Sequence, residues 1–150
     1  MKKIHLFAAM AAAAAVSLGG IAPAGAAPAG KAQAQILGPV RAHDDGTASV
    51  KARYICPSGF HLWVSAKQSE DGQPDQRLRG EGSSEIAAAW VQSHPAPDQF
   101  TCDGEWHTDT FVIDTEEQGF GELRDGQAWV QFCLIGENVF ISEKRWVAVR

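Results

Sequence analysis

The stretch Thr47–Cys56, "TASVKARYIC", decides the fold. Ala48, Val50, Ala52, Tyr54 and Cys56 fall on one side of a two-residue repeat, and Ser49, Lys51 and Arg53 on the other. That rhythm describes a strand with one face buried and one in water. It is bounded by turn chemistry, Asp44-Asp45-Gly46 before it and Pro57-Ser58-Gly59 after it. A chain that opens in this way is committed to β-structure wherever the rhythm recurs.

It recurs often. "FHLWVSAKQ" (60–68) directs Leu62, Val64 and Ala66 inward, "EWHTDTFVID" (105–114) alternates again, and "GQAWVQFCLI" (126–135) is almost continuously apolar, as a central strand is. "VFISEKRWVAV" (139–149) closes the chain, Ile36–Ala42 supplies a first strand, and "RLRGEG" (77–82) reads as a short one. Seven strands separated by turn residues predict an all-β, immunoglobulin-like antiparallel sandwich, with a closed barrel or jelly roll as alternatives. One segment breaks the rhythm. In "SSEIAAAWVQSHPAPDQF" (83–100) the alanine run suits a helical turn or two near 84–92, capped by Ser83 or Ser84 and stopped before Pro95.

The ends and the composition narrow the setting. Lys2, Lys3 and His5, the alanine-rich run Leu6–Leu18 and the small residues Ala24-Gly25-Ala26 spell a secretory signal peptide over residues 1–26. The apolar run is too short to span a bilayer as a helix. Residues 27–34 read as a disordered leader, which leaves 35–150 as one domain. With Lys2 and Lys3 removed, the 11 remaining basic residues face 18 acidic ones, a net charge of −7. That balance argues against nucleic acid or an anionic membrane as partner.

The segments "GTASVKARYICPSG", "LWVSAKQ", "TCDG", "WHTDTFVI" and "LRDGQAWVQFCL", in that order, resemble a family of small exported actinobacterial proteins with an immunoglobulin-like sandwich and no settled function. The likeness covers most of residues 45–135 and rests on structural motifs, so it implies a fold and no activity. The chain departs from the family pattern twice. Residues 85–99 look like an insertion, and Cys133 is followed by "LIGENVF", with no fourth cysteine.

Three cysteines in an exported chain imply one bridge and one leftover thiol. In an immunoglobulin-like order the second and fifth strands are neighbours, which brings Cys56 to Cys102 and leaves Cys133 over. The antibody-type bridge, Cys56–Cys133, is the alternative, but it lacks the tyrosine expected at Gln131. A catalytic Cys/His pair would need His61 or His107, both on predicted strands without an orienting partner. His43, His61, His94 and His107 show no metal-ligand spacing. Glu116, Glu117, Glu122 and Asp125 do not match a calcium-loop template. No nucleophile motif or phosphate-cradling loop occurs, so the expectation is a non-enzyme without metal or cofactor.

Tryptophan is the informative remainder, with five in the chain. Trp63 opposes Leu62 and Val64, and Trp129 opposes Ala128 and Val130, so both rings either face outward and join Trp146 and Trp90 in a contact patch or fill the core and lie under the insertion that carries Trp90. These four are the candidate binding residues of a monomeric interaction module, its partner a protein, a glycan or a small apolar ligand. A flat patch would serve a partner surface. A concave pocket beside Trp90 would instead mark a carrier of an apolar small molecule. A hydrolase would need polar groups converging in a cleft.

Overall fold

A computed structural model of the chain describes residues 31–80 and 82–150. The segment read as a signal peptide (1–26) and residues 27–30 of the expected leader lie outside the described residues. Seven strands form: β1 (Gln33–Ala42), β2 (Ala48–Ile55), β3 (His61–Gln68), β4 (Ala89–Ser93), β5 (Trp106–Ile113), β6 (Gly126–Ile135) and β7 (Phe140–Val149). They lie in one mixed hydrogen-bonded order, β4-β3-β6-β7-β1-β2-β5. β1 begins at Gln33, inside the segment expected to be leader.

β1 is the hinge of this order. Along one edge it runs antiparallel to β2, with a register shift between Leu37 and Arg41 where Gly38-Pro39 interrupts the ladder. Pro39 has no N–H to donate, so a break in the ladder is its natural place. Along the other edge the end of β1 runs parallel to β7, at Val40↔Val149. Ala42 N–H donates to the Arg150 carbonyl at 2.9 Å, and Arg150 N–H to the Val40 carbonyl at 3.0 Å. The sheet therefore folds over on itself, and the β2–β5 leaf covers the β3–β6–β7 leaf.

The alternation read from Thr47–Cys56 sets the core. Ala48, Val50, Ala52, Tyr54 and Cys56 are all buried, and they meet Leu62, Val64 and Ala66 of β3 and Val130, Phe132 and Leu134 of β6 in one cluster. The rings of Tyr54, Phe111 and Phe132 join the leaves: Phe132 lies 5.9 Å from Tyr54 and 5.5 Å from Phe111. β2 and β5 pair in register from Ala48↔Ile113 to Ile55↔Trp106. That register brings the end of β2 to the segment before β5, where Cys56 and Cys102 form a disulfide. Cys133 is buried and outside the bridge. No helix of the described residues is long and apolar enough to cross a membrane.

Two elements differ from expectation. Residues 77–80 and 82 do not form the expected strand, because Asp75 caps a 3-10 turn over Gln76–Arg79 and its side chain accepts from the Arg77 N–H. The helical turn expected near 84–92 is a second 3-10 turn, Ser83–Ile86, and from Ala89 the stretch is β4. Five residues of β4 pair with β3, from Val64↔Ser93 to Gln68↔Ala89, and this pairing overrides the helix preference of the alanines. The strand count stays at seven, with β4 taking the place of the strand that is missing.

Tyr54 makes the most consequential polar contact in the core. Its hydroxyl donates to Asp109 Oδ2 at 2.7 Å and accepts from the Thr101 N–H at 3.2 Å, tying β2 to β5 and to the loop that carries Cys102. Burial pushes the phenol up to about 12, and the Asp109 carboxylate adds to the shift. A phenol whose folded value lies above its unfolded value near 10 favours the fold fully below pH 10 and loses that contribution between pH 10 and 12. Tyr54 is the only tyrosine in the chain, so phenolate absorbance reads this residue alone. The expected midpoint is about 12, with stability falling over the same interval. A midpoint near 10 in the folded protein would contradict the contact.

Candidate functional site

The outer face of β4–β3–β6–β7 gathers the four tryptophans singled out from the sequence. Register fixes their places. One row across the sheet reads Trp90, Lys67, Trp129, Trp146, and the next reads Gln92, Ser65, Gln131, Lys144. Trp63 stands in a third row, opposite Cys133. Because side chains alternate between faces, all of these point away from the main core. The fifth tryptophan, Trp106, lies on β5 with the Arg53 guanidinium 4.4 Å above its ring.

The face is not a flat patch. Trp129 is only 6% exposed, and its ring packs at 5.4 Å from that of Trp146, with the Arg79 guanidinium 5.1 Å above it. Arg79 ends the first of the two 3-10 turns, Gln76–Arg79 and Ser83–Ile86, which cross this face as a strap. Ser83 pins the strap: its Oγ accepts from Lys67 Nζ at 2.9 Å and donates to the Leu78 carbonyl at 2.8 Å. Leu78 is fully buried yet stands apart from the main core cluster, as do Trp129 and Cys133. Of the two placements left open by the sequence, an outward ring or a covered one, Trp129 takes the covered one, because the strap lies against the sheet there.

Beside the strap a cavity of about 210 Å³ remains, lined by Trp63, Lys67, Gly82, Ser84, Trp90 and Gln131. Its walls are positioned from several directions. Trp63 Nε1 donates to Gln92 Oε1 at 2.9 Å, and its ring stacks on His94 at 17° between planes. Glu117 holds His94 in turn through Oε2 and Nδ1 at 2.5 Å, a bond that keeps the Glu117 carboxyl below its ordinary range. Trp90 meets Phe120 edge-on, with ring centroids 6.4 Å apart. Phe120 sits in a loop that pairs with the outer edge of β4: Trp90 N–H donates to the Phe120 carbonyl at 2.8 Å, and Phe120 N–H to the Trp90 carbonyl at 2.9 Å. The two glycines flanking Phe120 allow this approach. A Cβ on Gly119 would overlap the Trp90 carbonyl, and one on Gly121 the Ala88 carbonyl.

Several polar atoms on this face are buried with no hydrogen-bond partner: Ser65 Oγ and the indole N–H groups of Trp90, Trp129 and Trp146. Such groups are uncommon in folded proteins and expensive to leave unmade. Their gathering on a single sheet face goes beyond what the sequence predicts. Strand alternation tells on which side each indole lies, but not whether its N–H finds an acceptor.

The other candidates are scattered. Glu116 and Glu122 line one surface depression, Glu122 and Asp125 another, and Glu117 is engaged with His94. Among the described residues no group of three or more His, Cys, Asp or Glu side chains could hold a metal ion. His61 is exposed on β3. His107 Nε2 contacts Asp103 Oδ1 at 2.8 Å, so His107 does have a carboxylate partner, contrary to the expectation from its strand position. That bond holds the Asp103 carboxyl below its ordinary value. Cys56 and Cys102 are consumed in the bridge. No protein-family model matches the chain, and neither does any curated protein.

Proposed function

We propose that this protein is an exported, non-catalytic binding module that takes a small molecule into the cavity beside Trp90. The observation that carries this reading is the convergence of Trp63, Trp90, Lys67 and Gln131 from three strands on one concave site. Ligand sites are concave and mainly apolar, with a few placed polar groups, and this cavity has that composition. Its volume is below the ~300–1,000 Å³ of clefts for drug-sized ligands, so it suits a small ring or one end of a longer molecule. The buried Trp129 and the strap disfavour a broad protein partner docking flat on the tryptophans. Export is supported by the signal-like leader, the disulfide and the resemblance to exported actinobacterial sandwiches.

A second reading, a carrier for an apolar molecule, draws on the same concavity but leaves the unpartnered polar atoms unexplained. The test uses the disulfide-bonded domain and a Ser84→Trp variant whose new ring fills the cavity. Each is equilibrated with small-molecule extracts of culture medium and cell envelope, desalted, and weighed by native mass spectrometry. The expected result is an adduct on the wild type that is absent from the variant, with thermal stability little changed. An identical adduct on both proteins, or none on either, would count against this cavity.

A further inference from the structure

We infer that the cavity receives one ring of a saccharide, an assignment that rests on the binding-module reading and adds the chemistry of the ligand. Three observations converge. Two indoles, Trp63 and Trp90, stand in its walls. A pyranose offers each of them an apolar C–H face while its hydroxyls form a polar rim, and flat amphipathic rings suit such faces.

Second, the polar groups at the site require a partner of that kind. Trp90 Nε1–H has no acceptor, and neither does Ser65 Oγ have a partner; Ser65 stands on β3 between Trp63 and Lys67, opposite Gln131. An apolar ligand would leave both as they are, whereas a polyhydroxylated ring brings acceptors and donors together. Gln131 and Ser84 in the lining are themselves both donors and acceptors, which matches hydroxyl groups better than a purely accepting or purely donating ligand. The Trp63 N–H is already engaged by Gln92, so Trp90 is the indole whose donor is left for a ligand. Trp90 Nε1 and Ser65 Oγ are closed to water, so binding includes a small re-packing of the side chains around them.

Third, size selects within that class. Among the described residues the lining holds no carboxylate, and Lys67 Nζ in its wall donates to Ser83 Oγ. A volume of about 210 Å³ equals that of about seven waters in the liquid. That is room for one ring rather than two.

The test follows the five indole N–H resonances of ¹⁵N-labelled, disulfide-bonded protein, with Trp90 assigned by its loss in Trp90→Phe. The probes are methyl glycosides of glucose, galactose and mannose, with cyclohexanol, benzoate and inorganic phosphate in parallel. The expected result is a saturable downfield movement of the Trp90 N–H with at least one glycoside, weakened at least several-fold in Gln131→Ala and abolished in Ser84→Trp. Saturation by cyclohexanol, benzoate or phosphate with no response to any glycoside would overturn the saccharide assignment and leave the binding module standing. If no probe moves Trp63 or Trp90 and the extracts leave no adduct, both readings fall together.

Discussion

Replacing Cys56 and Cys102 together by alanine is expected to lower the stability of the domain by about 4 kcal/mol. The bridge joins residues 46 apart, and the loop it closes contains β3, both 3-10 turns and β4. Most of its effect acts on the unfolded chain, whose freedom falls with the size of the closed loop. The folded side is already in place without it. β2 and β5 are held through eight paired positions, and the Gly104 N–H donates to the Cys56 carbonyl at 2.9 Å. The variant should therefore keep the native fold where it folds at all, with an unchanged denaturant slope and a lower midpoint in urea. A loss of about 4 kcal/mol is a large fraction of the roughly 5–15 kcal/mol that holds a domain together, so a substantial unfolded population at 37 °C is expected. Reduction of the wild-type bridge should reproduce the shift. A change below about 1 kcal/mol would mean that the unfolded chain is already held compact by other means.

Phe132→Ala is expected to be the most damaging single substitution in the core, at about 3–5 kcal/mol. Phe132 is fully buried on β6, and its ring reaches across the sandwich to Tyr54 and Phe111 of the opposite leaf. Those two rings also touch each other, at 5.9 Å, so the deletion opens a void that neither can fill without leaving the other. Urea unfolding measures the loss. The same void would relieve the burial of Tyr54, so the phenol midpoint of the variant should move from about 12 back towards 10. Phe132→Leu, which retains most of the volume, should cost much less. A loss under about 2 kcal/mol for the alanine variant would show that the leaves collapse together without the aromatic contact.

Much of this fold is legible in the chain because its signal is local. The two-residue rhythm of Thr47–Cys56 determines which residues of β2 face inward, and the same rhythm puts Trp63 and Trp129 on the outer face. The pairing of Cys56 with Cys102 follows from β2 and β5 being neighbours. The misreadings fall where distant contacts outweigh local preference. Ala87-Ala88-Ala89 favours helix, yet Ala88 N–H donates to the Gln68 carbonyl at 2.8 Å and the residues after it join β3. "RLRGEG" looks like a weak strand, but Leu78 is buried under a turn capped by Asp75. The strap that turns a tryptophan patch into a cavity depends on Ser83 meeting Lys67 of β3 and Arg79 lying over Trp129 of β6, which no short window of sequence contains. Tyr54 is, by alternation alone, one more inward residue. Its bonds to Asp109 and Thr101 join residues 55 and 47 positions away, beyond any local pattern.

The parallel run of β1 beside β7 bears on how the molecule responds to mechanical load. Because the first and last strands point the same way, tension applied between the two chain ends draws β1 and β7 past each other along their length. The bonds of Ala42 and Arg150 and of Arg150 and Val40 then carry force side by side, in shear. An antiparallel terminal pair pulled in this way would instead unzip, its bonds breaking in succession. The bulge at Gly38-Pro39 limits this clamp to the last residues of β1. Those residues must give way before the rest of the sheet can be drawn out from the ends. Tension along these two strands would load this clamp first and spare the strap and the cavity beside it.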